Sequence, residues 1–440
     1  MTAALDTRAR PLVVRLTDAA ASNPGRFGPK AASLSRLARA GLPTPGGAVL
    51  DAEAYRIQLA HLGLEAAAAQ VAWAESPLAR RRAVEVRLGL MEGPLAPAVG
   101  DALLTTHAEL TSSSPRLVVR SSALVEDRAG SSFAGQFDSY LGVRDEADFL
   151  TSVRACWAAL WSTRVLRYMA THAVDPSTTA MAVLIQPLVE ASASGGGLSR
   201  ADVDAMVLTA APGLGSAVAQ GEVVPDRYVL GREAVLRGVE PGRTEHGTSC
   251  RHAPPSPVPG VGAHEAGLDR ARAERLGSLL LAAEEVMGYP VEIEWALDNR
   301  GFTLLQARPL EVGLPVLPDP IWTRHPGLRG QPSGVGWGTG RACVLSCECE
   351  LGRVAPGDVL VTRIAGPALS RVLPSVAGVV AELGGSTSHL ASLGRERGIP
   401  MVLGVPDATR QIPEGAQVAV DAVAGLVRWA ARAGSEATRP

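Results

Sequence analysis

The sequence predicts an α/β protein in which alanine-rich helical segments alternate with short strands. Three observations carry this. Leu34, Leu37 and Ala38 recur with helical spacing, whereas residues 117–119 (LVV), 181–189 (MAVLIQPLV) and 399–405 (IPMVLGV) are short apolar runs of the strand type. The run at 399–405 directly follows a short helix that opens at His389. Residues 313–331 hold four prolines and read as a semi-stiff tether between a long N-terminal part and a small C-terminal one.

The bulk composition narrows the function classes. The chain has 440 residues, enough for two or three domains, with 46% hydrophobic and 20% charged residues. A formal net charge of −2 gives no bias toward polyanions, and no basic patch with interleaved aromatics is present, so nucleic acid is not an expected partner. No apolar run reaches the roughly 18 residues of a membrane span. The first residues, MTAALDTRARPLVV, lack the apolar core of a signal peptide, so the expected location is cytoplasmic. Five scattered cysteines do not make a disulfide framework. Cys347 and Cys349 are expected on one face of a strand, as reduced packing thiols.

Taken in order, residues 13–16 begin a strand and Lys30 opens a helix that Gly41 ends. Pro43 and Pro45 enforce a turn into a strand at 48–50. A lysine at a helix start can hold phosphate, although a lone one is ordinarily solvated. Residues 51–114 read as helical. The strand at 117–119 ends in Arg120, Ser121 and Ser122. Residues 130–136 form a flexible small-residue loop with Phe133 at its tip, including Gly135 and Gln136. Such a loop can close over a triphosphate with backbone N–H donors, but a hairpin turn has the same composition. Residues 147–171 read as one helix, with Trp157 and Trp161 packed in the core. Gln186 lies in the strand at 181–189.

Residues 195–197 mark a turn. Residues 206–230 give strand, glycine turn, helix and strand, with Gly213 and Gly215 at the helix start, a geometry suited to anions. Residues 240–264 read as a loop, and a helix follows to Met287. Residues 291–310 form a hairpin turning at 298–301. Glu292 and Glu294 share one face of it, as do Gln306 and Arg308. Two carboxylates near an amide oxygen can hold a magnesium ion against phosphates, and the arginine can bind phosphate bidentately. A surface salt-bridge cluster has the same pattern.

Residues 384–404, GGSTSHLASLGRERGIPMVLG, hold the most distinctive histidine. Ser386, Thr387 or Ser388 can cap the helix, Gly398 closes it and Pro400 stops it. His389 then sits in the first turn, where free N–H groups and the dipole suit a phosphate and disfavour an imidazolium. A neutral imidazole there is a nucleophile that can carry a phosphoryl group. On its own the residue also reads as a capping histidine in a surface loop.

These strings, in this order, closely resemble the phosphoenolpyruvate-utilising enzymes: pyruvate phosphate dikinase, phosphoenolpyruvate synthase and rifampin phosphotransferase. The match runs through FGPKAASLSRLARAGLPTP, VRSSALVED, SSFAGQ, GEVVPDRY, IEWA, LLQARP and the TSH histidine. The resemblance implies an ATP-grasp-like nucleotide-binding domain, with subdomains at 1–190 and 191–312, and a linker at 313–331. A small swivelling β/β/α phosphohistidine domain would follow at 332–435. It implies ATP and Mg2+ as cofactors. ATP would be bound by Lys30, Arg120, Gly135, Gln136, Gln186, Gly213, Gly215 and Arg308, and the metal by Glu294, Gln306 and Glu292. His389 would be the catalytic carrier.

The implied activity is that of a dikinase-type phosphotransferase: ATP phosphorylates His389, AMP forms, and the group passes to a small-molecule acceptor. Two alternatives stay open, a phosphocarrier subunit of a split phosphotransferase and an activating enzyme for an ATP-dependent condensation. The resemblance does not extend to the pyruvate-binding barrel, nor to the large acceptor domain of rifampin phosphotransferase. The acceptor is therefore expected in a groove between the domains or on a separate acceptor subunit. After the SG pair at 194–195 the chain is shorter than the family's usual excursion.

Overall fold

The computed structural model describes residues 11–71, 77–126, 133, 135–202, 204–243, 267–310, 322 and 325–430. The chain divides into two compact units, Met1–Val189 with Thr303–Arg308, and Glu190–Phe302 with Pro309–Pro440. The α/β fold is as expected from the sequence.

The first unit is built on strands β1 (Val13–Arg15), β2 (Ala48–Leu50), β3 (Leu117–Ala123), β4 (Ser139–Val143) and β5 (Met181–Pro187). They neighbour one another in the order β1-β2-β5-β3-β4, antiparallel throughout. β5 is buried along nearly its whole length, as its unbroken β-branched and aliphatic run requires. Helices α1 (Pro24–Arg39), α2 (Ala52–His61), α3 (Glu65–Ala69), α4 (Pro77–Glu92) and α5 (Pro97–Thr111) fill the stretches around β2 and before β3.

The single helix expected at 147–171 is two. α6 (Glu146–Ala159) starts on Asp145, whose carboxylate accepts from the Asp148 N–H at 2.8 Å, and α7 (Thr163–Thr171) starts on Ser162. Ser162 bonds the Val165 N–H and so favours a new helix start over continuation. Trp157 is fully buried, and the Trp161 indole donates to the Tyr55 hydroxyl at 2.8 Å, which makes both tryptophans packing residues. Phe133 also departs from expectation. It is not an exposed tip: its ring lies in the core 4.6 Å from Tyr168 and stacks on Phe137. A large aromatic gains more from that burial than a solvated loop offers. Residues 130–132 and 134 of the expected loop lie outside the described residues.

The second unit holds two sheets. In the first, β6 (Ala193–Asp202), β7 (Ala205–Pro212), β8 (Asp226–Gly231), β9 (Leu236–Glu240) and β10 (Val291–Asp298) are antiparallel neighbours in the order β10-β6-β7-β8-β9. The one-turn α8 (Ser216–Ala219) precedes β8, and α9 (Arg270–Met287) packs on β6 and β10. Asp269 caps α9 at its start and Gly288, with φ 80°, ends it. β11 (Gly301–Pro309) follows the 298–301 turn, and its residues Thr303–Arg308 group with the first unit.

Residues 195–197, expected as a turn, lie mid-strand in β6. Their glycines answer to close packing rather than to chain reversal. A Cβ on Gly195 would meet the Thr209 carbonyl, and one on Gly196 would lie 2.5 Å from the Thr387 side chain. Of the 240–264 loop, Glu240 ends β9 and Val224 bridges Arg243, whereas residues 244–264 lie outside the described residues.

The second sheet is formed by β12 (Gly327–Arg329), β13 (Gln331–Pro332), β14 (Trp337–Leu345), β15 (Val359–Thr362), β16 (Gly378–Ala381), β17 (Met401–Leu403), β18 (Gln417–Asp421) and β19 (Leu426–Ala430). The order is β12-β19-β18-β14-β15-β16-β17-β13, with β14, β15, β16 and β17 parallel. Val359, Val361, Val380, Val402, Val418 and Val427 are fully buried in its core. α10 (His389–Glu396) is the crossover from β16 to β17, and α11 (Ala408–Gln411) follows β17. The expected tether at 313–331 overlaps this sheet, because β12 pairs with β19 and Gln331 with Leu403. Those backbone groups are spent on ladders, so they belong to the domain; residues 313–321 lie outside the described residues. Cys347 and Cys349 are joined as a disulfide, against the expectation of reduced thiols; their Cα atoms are 5.2 Å apart, within bonding range. They lie not on a strand but at the start of a 3-10 turn, Glu348–Arg353.

Candidate active site

His389 sits where parallel strand β16 ends and α10 begins, the end of an α/β sheet at which ligands bind. Ser388 is the cap: its hydroxyl accepts from the Ala391 N–H at 3.3 Å. Leu390, Ala391 and Leu393 are buried and fix the helix on its sheet, leaving His389 half-buried in the first turn. Gly398, with φ 66°, ends the helix before Pro400. Each of these features agrees with the sequence reading.

What holds this segment in place was not legible. Arg395, buried on α10, donates to the Ser386 carbonyl at 2.6 Å and the Ser333 carbonyl at 3.2 Å. It also pairs with Glu292 Oε2 at 3.0 Å and bonds the Ser392 hydroxyl at 3.1 Å. The Ser392 hydroxyl reaches both Glu292 oxygens, at 3.0 and 3.1 Å. Upstream, the hydroxyls of Thr387 and Thr209 are 2.6 Å apart. Arg243 donates to the Gly404 carbonyl at 2.6 Å. Val224, Ile364 and Leu383 close a small apolar cluster below.

The β-register explains this geometry. Glu294 lies opposite Gly196, and Gly196 opposite Thr209, so the three form one cross-strand row. Glu292 shares their face, two residues along β10. The His389 loop is seated on that face, with Thr387 over Gly196. The missed residues carried faint signals: Ser392 and Arg395 are at i, i+3 on α10, and Thr387 precedes the histidine by two.

The other second-unit candidates are Gly213 and Gly215. Gly213 has φ 75° and its carbonyl accepts from the Ser194 hydroxyl, so it turns the chain tightly between β7 and α8.

In the first unit, α1 breaks at Gly28 (φ 74°, ψ 159°) and restarts at Pro29, which places Lys30 in a first turn. Ser122 clamps the break, donating to the Phe27 carbonyl and accepting from the Ala31 N–H. The Lys30 ammonium bonds the Ser121 carbonyl at 3.2 Å and pairs with Glu126 at 3.0 Å. Burial pushes the Glu126 carboxyl up, opposed by Lys30 and more weakly by Arg120. Arg120 donates to the Leu305 carbonyl at 2.7 Å and to Gln306 Oε1 at 2.8 Å, so two predicted site residues do meet. Arg308 and Gln136 are buried, and Gly135 has φ 66°. Gln186, on β5, is buried and donates to the Gly46 carbonyl at 3.0 Å.

These groups suit a nucleotide and a hard cation. In the first unit, Gln306 Oε1 has a second lone pair beyond the one Arg120 takes; in the second, taken by itself, Glu294 offers a carboxylate. Among the described residues no three or more His, Cys, Asp or Glu side chains group to hold a metal. Magnesium bound through one or two carboxylates and phosphate oxygens needs no such group. No helix among the described residues is long and apolar enough to cross a membrane.

Residues 354–425 match the mobile domain of PEP-utilising enzymes. The phosphoenolpyruvate synthase of Aeropyrum pernix is 28% identical over 467 residues, covering 91% of this chain and 56% of that protein. That of Pyrococcus furiosus is 31% identical over 336 residues, covering 71% and 40%. That of Pseudomonas aeruginosa is 28% identical over 425 residues, covering 89% and 54%. The chain thus spans about half the length of the relatives it matches. Residues 25–314, well over half of the chain, match the AMP/ATP-binding domain of pyruvate phosphate dikinase, and the chain belongs to that family.

Proposed function

We propose that this chain catalyses ATP-dependent, dikinase-type phosphoryl transfer through His389, with a small molecule as final acceptor. The observation that carries the reading is the seating of the His389 loop on the sheet face that bears Glu294. A nucleophile held at a helix start, beside a carboxylate suited to a cation, is the constellation that phosphoryl transfer requires.

In this reading Lys30, Arg120 and Arg308 hold phosphate oxygens, and the turns that carry Gly135, Gln136, Gly213 and Gly215 lie against the nucleotide. Glu294 and Gln306 would hold magnesium, which neutralises charge on the phosphates when bound. The His389 ring nitrogen forms a bond to the β-phosphorus. The bond from that phosphorus to the bridging oxygen of the α-phosphate breaks, and AMP leaves with the electron pair. The α10 start disfavours a charged imidazole, which keeps the ring nucleophilic. The ring then carries the β- and γ-phosphates as a pyrophosphoryl group; water or inorganic phosphate attacks the γ-phosphorus and removes it, the bridging oxygen staying on the β-phosphorus. The phosphoryl group left on the ring passes to the acceptor oxygen as its phosphorus–nitrogen bond breaks. Cytoplasmic ATP would serve as the donor.

The test is incubation with magnesium and ATP labelled on the β-phosphate. An acid-labile, base-stable phosphoprotein is expected. His389→Ala should lose the label and still bind ATP. A label that persists in that variant refutes the assignment. Turnover with a small acceptor alone supports an enzyme, whereas discharge only to a second protein would make the chain a carrier subunit.

A further inference from the structure

The sequence places Glu292 beside Glu294 in a metal set, yet the structure engages Glu292 with Arg395 and Ser392. Glu292 is 5% exposed and its Oε2 accepts from the Arg395 guanidinium at 3.0 Å. Both of its oxygens accept from the Ser392 hydroxyl. Arg395 is itself 8% exposed and spreads its fork over four acceptors at once: Glu292, Ser392, and the Ser333 and Ser386 carbonyls. One of those carbonyls belongs to the loop three residues before His389. The guanidinium therefore links the sheet face to the histidine loop through a rigid, planar group.

A divalent cation on the same carboxylate would stand beside this guanidinium. Two positive charges in a buried setting repel strongly, and Arg395 and Ser392 already take part of the carboxylate's acceptor capacity. Removing the carboxylate, by contrast, would leave a buried arginine without its counter-charge. Each consideration assigns Glu292 to Arg395 rather than to a metal.

We infer that Glu292 is a positioning residue. It anchors the His389 helix to the β10 face through Arg395 and Ser392, and it does not ligate magnesium. Glu294, one cross-strand row away on the same face, is the carboxylate of the pair that serves the cation. The inference rests on the phosphotransfer reading for the purpose of the anchor but not for its existence, so the two can fail separately.

The test uses the full chain and two readouts that do not depend on turnover. Backbone hydrogen exchange is followed in peptides covering residues 386–396 and 205–212, and the magnesium dependence of ATP binding is measured by calorimetry. Glu292→Gln should speed exchange in both segments by about tenfold or more while the magnesium midpoint stays within about twofold. Ser392→Ala, which removes one hydroxyl and no charge, should shift exchange in the same direction by less, and it carries the test if Glu292→Gln does not fold. Unchanged exchange in both segments overturns the anchor. A magnesium midpoint raised about tenfold by Glu292→Gln also overturns it, and returns Glu292 to the metal. Absence of His389 labelling in the wild-type chain, with the exchange result as expected, would strike the phosphotransfer reading and leave the anchor standing.

Discussion

Gly196 offers a steric probe of the His389 seat. It lies mid-strand in β6, outside the left-handed region, so Gly196→Ala adds a methyl group without backbone strain. That carbon would lie 2.5 Å from Thr387 Cβ, 2.7 Å from its Cγ2 and 2.9 Å from its Oγ1. Non-bonded carbons pack at about 3.5–4.0 Å, so Thr387 must retreat by about 1 Å. The Thr387–Thr209 hydroxyl contact, now 2.6 Å, would lengthen to the edge of hydrogen-bonding range or break. Thr387 is two residues from His389, and the displacement passes directly to the imidazole. A misplacement of about 1 Å from productive geometry lowers rates about 10²-fold. Single-turnover labelling of the protein from β-labelled ATP should slow by that factor, with ATP affinity within about twofold of wild type. Labelling at the wild-type rate would show that His389 is phosphorylated from an arrangement other than this one.

Two further outcomes follow from the first unit. Gly28→Ala forces a side chain into a φ 74°, ψ 159° backbone and against the Ser122 carbonyl. It should destabilise by about 1–3 kcal/mol from the backbone alone and displace Lys30; a loss under about 0.5 kcal/mol in chemical denaturation counts against the kink. Glu126 should shape the stability–pH profile, because burial raises its carboxyl. The folded chain then holds that proton to higher pH than the unfolded one. Its stabilising share is full below the ordinary carboxylate value and is lost as pH rises through the raised one. Glu126→Gln should flatten that fall in thermal melts, and an unchanged slope refutes the assignment.

Much of the fold and of the site was legible because it is written locally. The cap at Ser388, the stop at Gly398 and Pro400, the turn between β10 and β11, and the apolar runs of β5 and β17 depend on residues within a few positions of one another. Propensity, capping and periodicity act at that range. His389 could be placed in its helix turn from the segment 384–404 alone.

The remainder depends on close approaches between distant segments. Gly195, Gly196 and Gly197 look like a turn until the Thr209 carbonyl, Thr387 and the Leu208 and Ile293 side chains are known to press on them in turn. Phe133 looks like a loop tip until the Tyr168 ring is known to pack tilted against it. Glu292 and Glu294 are equivalent by strand period, and nothing in that period shows that Arg395, 103 residues after Glu292, packs beside it. Periodicity tells which residues share a face. Which partner a buried charge meets on that face is decided by how separate elements pack, since a guanidinium removed from water must find its counter-charge wherever the chain brings one.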